Sequence, residues 1–214
     1  MVESRTLDSS LMALVRAIVA GDAANASRLL AASPGLVSTP FEEGATRQAA
    51  KSYFLDEIQR YVYAGDTALH VAAAAYRTDI VQDLIARGAD VRARNRRGGE
   101  PLHAAAAGGP GSRSWNPPAQ AATVTCLIAA GADPNAINKD GVTPLHIAAR
   151  TRCAAAARAL LVGGADAQRK NKSGSTPLLL ATQTTGRGGT GSPAAKAEQE
   201  DIVRLLQQYG ATRA

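Results

Sequence analysis

The chain has 214 residues, 45% of them apolar, and carries a formal net charge of +6 at pH 7. It has two Phe and one Trp, but alanine runs at Ala72–Ala75, Ala104–Ala107 and Ala154–Ala157; this excludes a large core filled by bulky side chains and points to short helices packed closely. No apolar stretch approaches the ~18 residues of a membrane span, and Leu11–Ala20, interrupted by Arg16, is not expected to act as a secretory leader.

In chain order, residues 9–37 read as a pair of helices, with Gly21-Asp22 at the turn between them and Leu29-Leu30 in the second. Residues 38–64 follow as an insertion that holds Phe41, Tyr53, Phe54, Tyr61 and Tyr63, five of the chain's eight aromatics. Between Arg47 and Val62 the residues Ala50, Tyr53, Phe54, Ile58, Tyr61 and Val62 fall on one broad face at helical spacing, which predicts an amphipathic helix. Such a helix either folds back to shield the first unit or offers aromatic anchors to a partner.

From residue 65 the chain is periodic. Thr67-Ala68-Leu69-His70, Glu100-Pro101-Leu102-His103, Thr143-Pro144-Leu145-His146 and Thr176-Pro177-Leu178-Leu179 recur at intervals of 33, 43 and 33 residues. A second marker, Gly88-Ala89-Asp90, Gly131-Ala132-Asp133, Gly164-Ala165-Asp166 and Gly210-Ala211, keeps a constant 13-residue distance from each Asp to the next fourth-position residue. The chemistry of one unit follows. A capping residue and Pro open a short helix. A second helix buries a stripe such as Ile80, Val81, Leu84 and Ile85, and a glycine ends it. Turns at Asn95-Arg96-Arg97-Gly98-Gly99, Asn138-Lys139-Asp140-Gly141 and Asn171-Lys172-Ser173-Gly174 then form fingers between units.

These residues resemble the ankyrin repeat, with its Thr-Pro-Leu-His-x-Ala core and 33-residue period. The resemblance, good over residues 65–214, implies an all-α ankyrin-repeat solenoid of about five helix-turn-helix units with β-turn fingers. Within a single domain, 1–214, we read a degenerate N-terminal capping repeat (9–37), a helical finger insertion (38–64), repeats at 65–97, 98–140 and 141–173, and a C-terminal repeat (174–212). Atypical outer units are expected where one face meets water. The repeats at 98–140 and 174–212 hold further insertions, at 107–118 and 184–196, both between the two helices of their unit and hence on the edge opposite the fingers. Trp115, the lone Trp, lies in the first of them, as a plug on a neighbouring helix or as an exposed hot spot.

Several chemistries are excluded. His70, His103 and His146 sit at equivalent places in successive units, a helix layer of ~8–10 Å apart, and cannot converge on one zinc ion; the resemblance gives them a framework role. Gly186-Arg187-Gly188-Gly189-Thr190-Gly191 is followed by Ser192-Pro193 where a phosphate loop needs Lys and then Ser or Thr. Cys126 and Cys153 lack the spacing of a metal or redox pair. Neither a catalytic constellation nor a cofactor is expected, and the chain is read as no enzyme.

Charge is more informative. Residues 87–100 hold Arg87, Arg92, Arg94, Arg96 and Arg97 against Asp90 and Glu100, and residues 166–173 hold Arg169, Lys170 and Lys172 against Asp166, while Lys139 is outnumbered by Asp133 and Asp140 in the finger between them. This is either a solvated surface or a basic row that attracts an acidic partner. The candidate partner-binding residues are Arg94, Arg96, Arg97, Lys139, Arg169, Lys170, Lys172, Tyr53, Tyr61 and Trp115. The resemblance implies a non-catalytic adaptor or scaffold whose partner is another protein, and the basic row points to one of acidic character. Nucleic-acid binding by the fingers is the second reading, disfavoured because no stacking aromatics alternate with the basic residues; small-ligand binding or catalysis at the Gly-rich edge loops is the third. A monomer in the cytoplasm of a bacterium, without membrane attachment, completes the expectation.

Overall fold

The computed structural model describes residues 2–48, 50–183 and 192–212. Ten helices among them pair into five units: α1 (Val2–Ala20) with α2 (Ala23–Ala32), α3 (Ala68–Ala74) with α4 (Thr78–Ala86), α5 (Pro101–Ala105) with α6 (Pro117–Ala129), α7 (Pro144–Thr151) with α8 (Ala154–Val162), and α9 (Pro177–Thr182) with α10 (Pro193–Gln208). The first helices of successive units stack in one layer and the second helices in another. The first helix begins at Val2, ahead of the expected start at residue 9, because residues 2–8 contain neither Gly nor Pro to stop it.

Alanine sets the spacing of the first layer. Ala72, Ala73, Ala105, Ala106, Ala148 and Ala149 are fully buried, and with only a methyl group between backbones the short helices approach closely. The larger apolar groups sit at two repeating positions. Leu69, Leu102, Leu145 and Leu178 follow each cap, while Leu30, Leu84, Leu127, Leu160 and Leu206 line the second layer, all at 2% exposure or less. The second helices α4, α6, α8 and α10 end in the same way, at Gly88, Gly131, Gly164 and Gly210. At Gly88 the backbone turns left-handed (φ +91°), which lets Gly88 N–H reach Ile85 O at 2.9 Å and Ala89 N–H reach Leu84 O at 2.9 Å, closing the helix.

Histidines and fingers tie the units together. In His70, His103 and His146 the Nδ1 atom accepts from the backbone N–H of Thr67, Glu100 and Thr143 (3.1–3.2 Å). Each Nε2–H then donates to the next unit, to Gly99 O, Val142 O and Ser175 O at 3.2, 3.1 and 3.0 Å. Both ring nitrogens are thus committed to the frame in the neutral form. Burial pushes all three pKa values down, that of His103 to about 4.

The insertion at 38–64 differs from its expected helix. Lys51–Tyr53 and Asp56–Ile58 are single 3-10 turns, and between and after them β1 (Phe54–Leu55) pairs antiparallel with β2 (Arg60–Tyr61), Phe54 opposite Tyr61. The reason is closure. Phe41 N–H bonds to Asp66 O, Gly65 N–H to Phe41 O, and Ala45 N–H to Val62 O, each at 2.8 Å, so the chain must return to where it left. A helix over residues 47–62 would carry it ~24 Å away. Gln59, in the left-handed region (φ 49°), makes the reversal. Of the expected face, Ile58 and Val62 are buried beside Phe41; Ala50, Tyr53 and Phe54 are half-buried, and Tyr61 stays 40% exposed.

Candidate partner-binding surface

Each finger is held by its asparagine. Asn95 Oδ1 accepts from Arg97 N–H (2.9 Å) and Gly99 N–H (3.0 Å); Asn138 and Asn171 do the same in their turns. Asn95 Nδ2 also donates to Asp66 Oδ1 at 2.8 Å, which fixes the second finger to the base of the insertion. The fingers then bond to one another through backbone: Arg96 N–H to Ala64 O (2.7 Å), Lys139 N–H to Arg97 O (3.0 Å) and Lys172 N–H to Asp140 O (3.1 Å). Gly98 lets this happen, since at φ +73° a Cβ there would press on the Lys139 nitrogen at 3.0 Å.

The ladder places equivalent residues side by side. Arg96, Lys139 and Lys172 form one row along the tips, and Arg94, Ile137 and Lys170 form the adjacent one, with Arg169 exposed beside it. Ile137 keeps 38% of its surface in water. The five arginines of residues 87–100 are not alike. Arg87 is held by Asp83 and Ser27 (both 2.8 Å), and Arg92 donates to the helix-ending carbonyl of Gly131 at 3.1 and 3.0 Å. Both belong to the frame, while Arg94, Arg96 and Arg97 face outward.

Arg94 pairs with Glu100, its Nε and Nη2 lying 3.1 and 3.0 Å from the carboxylate Oε1. Glu100 occupies the helix-capping place that Thr holds at 67, 143 and 176. It is 3% exposed, its Oε2 has no partner, and burial pushes its pKa up against the opposing pull of Arg94. Arg96 and Arg97 meet no carboxylate at ion-pair distance among the described residues. Both instead lie over the Tyr63 ring, with guanidinium carbons 5.5 and 5.3 Å from its centroid. Arg97 Nη1 reaches the Tyr63 hydroxyl at 3.3 Å, and Arg96 Nη2 donates to Ala45 O.

The insertion therefore does touch the second finger, through a residue the sequence did not single out. Tyr63 gave no signal beyond its place among the clustered aromatics. Tyr53 is half-buried against the core and donates its hydroxyl to Glu43 (2.7 Å), whereas Tyr61, 40% exposed, stacks on Phe54 with ring centroids 4.7 Å apart.

Trp115 is elsewhere, in the loop joining the far end of α5 to α6. It is half-buried, and its indole nitrogen is shielded from water without a hydrogen-bond partner. The same loop is closed by contacts of Tyr76 with Ala107 O and of Cys153 Sγ with Gly108 O. Burial raises the Cys153 thiol pKa to about 11, which keeps it protonated at neutral pH. Residues 184–191, with Arg187 and the glycine-rich loop, lie outside the described residues. Among those described, no three His, Cys, Asp or Glu side chains are grouped to hold a metal ion, and no helix is long and apolar enough to cross a membrane.

Stacked helix pairs joined by bonded fingers define a helical-repeat solenoid, a class that offers extended concave binding surfaces. A family profile described as ankyrin repeats in many copies matches residues 127–181, and one described as an ankyrin repeat matches residues 64–96. These segments are ankyrin repeats, and such repeats generally serve as protein-binding modules. No curated protein matches it.

Proposed function

We propose that this chain is a non-catalytic adaptor or scaffold that binds an acidic protein through its second finger and the adjoining face of the aromatic insertion. One observation carries the reading: Arg96 and Arg97 are held on the fingertip with no carboxylate at ion-pair distance among the described residues. Cations held in place but left unpaired favour complementary charge on a partner and speed its approach. Lys139, Lys170 and Lys172 extend the positive row, and Ile137 and Tyr61 supply apolar contact beside it. The histidines, with both ring nitrogens bonded into the frame, offer no free base for catalysis.

The test is affinity capture from the native cell with the wild-type chain and with an Arg94→Ala/Arg96→Ala/Arg97→Ala variant. The reading requires one abundant protein that the variant fails to retain. Recovery of nucleic acid instead, with everything else lost on nuclease treatment, would make the polyanion reading correct.

A further inference from the structure

Two long cationic side chains at a surface ordinarily sample many rotamers, and ordering them on binding lowers affinity. Here both lie over one aromatic ring that comes from a different part of the chain. Tyr63 belongs to the insertion and is half-buried, while Arg96 and Arg97 are exposed on the finger. A guanidinium over a tyrosine face is attracted by the ring quadrupole, and one ring holds two of them. Each arginine also has one nitrogen fixed inside the protein, Arg97 Nη1 by the Tyr63 hydroxyl and Arg96 Nη2 by Ala45 O. The remaining N–H groups of each stay available to an incoming acceptor.

Resting on the adaptor reading above, we propose that Tyr63 is a positioning residue that presets Arg96 and Arg97 as a recognition site for side-chain carboxylates of an acidic peptide segment. Three features select a peptide over a nucleic acid. The Tyr63 ring is occupied by guanidiniums and the exposed Tyr61 packs at a tilt against Phe54, so among the described residues the row lacks the series of stacking rings that a single strand uses. The middle finger places the exposed Asp140 beside Lys139, which interrupts the track a continuous phosphate backbone would follow. Ile137, exposed between the equivalent positions of Arg94 and Lys170, fits an apolar peptide side chain.

The probe is a short peptide of alternating Glu and Ala carrying a neutral dye, titrated with the protein at low ionic strength and followed by anisotropy. Wild-type chain binds it, Arg96→Ala/Arg97→Ala does not, and Tyr63→Ala binds about tenfold more weakly, the value of ordering two side chains in advance. Tyr63→Phe, which keeps the ring and removes only the hydroxyl contact to Arg97, recovers most of the affinity. Leu55→Ala, which removes a core contact of the same hairpin, leaves it unchanged, which separates positioning from general damage to the insertion. Wild-type affinity in Tyr63→Ala, with binding still lost in the double arginine variant, would overturn the role of Tyr63 and leave the fingertip reading standing. Unchanged binding in the double arginine variant would overturn both. Binding of inorganic polyphosphate in preference to the peptide would overturn the carboxylate assignment.

Discussion

Replacing Glu100 with threonine should stabilise the protein. Glu100 fills the capping place of its repeat with a carboxylate that is 3% exposed, and one oxygen of it is shielded from water without a partner. Leaving such an atom unsatisfied costs about 1–3 kcal/mol. Its other oxygen pairs with Arg94, whose side chain is 57% exposed, so losing that pair costs about 0–1 kcal/mol. Threonine at the equivalent places caps its helix directly: Thr176 Oγ1 accepts from Leu179 N–H at 3.2 Å and Thr143 Oγ1 from His146 N–H at 3.4 Å. Glu100→Thr should therefore gain about 1 kcal/mol, which for a chain of this size raises Tm by about 2–4 °C. A raised folded-state carboxyl pKa means that folding takes up protons, so its penalty is present above the folded pKa and vanishes as pH falls below the ordinary value of 4.5. The gain from Glu100→Thr should shrink in the same direction. Calorimetry at pH 7 and pH 5, with Arg94→Ala made in both backgrounds, gives the assay. Arg94→Ala should destabilise the wild-type chain, where it strips a buried carboxylate of its ion-pair partner, and be nearly neutral beside Glu100→Thr. A lower Tm for Glu100→Thr, or an equal cost of Arg94→Ala in both backgrounds, would refute the reasoning.

Other expectations are simpler. The framework histidines have folded pKa values below the ordinary 6.5, so their contribution is complete above that pH and is lost as pH falls; for His103, whose folded value is about 4, the loss amounts to about 3 kcal/mol, readable in denaturant midpoints between pH 7 and pH 4. Leu127→Ala, at a fully buried position of the second helix layer, should cost about 2–5 kcal/mol in a urea titration. Gly109→Ala would drive a Cβ into the carbonyl oxygen of Thr151 and should lower stability by about 1–3 kcal/mol, while leaving the distant fingers and their partner affinity unchanged.

The repeat frame was legible because its physics is local and recurs. Capping residue, proline and leucine at fixed spacing, and a glycine that must turn left-handed, specify each unit without long-range information. For the histidines, the helix-layer spacing argues against a shared ion, while their framework role came from the resemblance. The insertion was not legible. Its apolar residues fit a helical face, but the hydrogen bonds that join residues 41–45 to residues 62–66 lie outside any local pattern, and they require a reversal at Gln59. Nor could composition divide the arginines. Arg87 and Arg92 are bound to Asp83, Ser27 and Gly131 by the way the chain packs, and only that packing leaves Arg94, Arg96 and Arg97 outward. The departure at Glu100 was visible in the sequence as a break in the threonine series; its unpartnered oxygen was not.

The central claim is that partner binding resides on the second finger, and one experiment tests it most directly. The wild-type chain, the Arg94→Ala/Arg96→Ala/Arg97→Ala variant and a Trp115→Ala variant from the opposite edge would each be used for affinity capture from the native cell, each first confirmed to be fully folded at the capture temperature. The account predicts one protein retained by the wild type and by Trp115→Ala and lost from the arginine variant. A protein retained by the arginine variant and lost with Trp115→Ala would move the binding surface to the α5–α6 loop and contradict it.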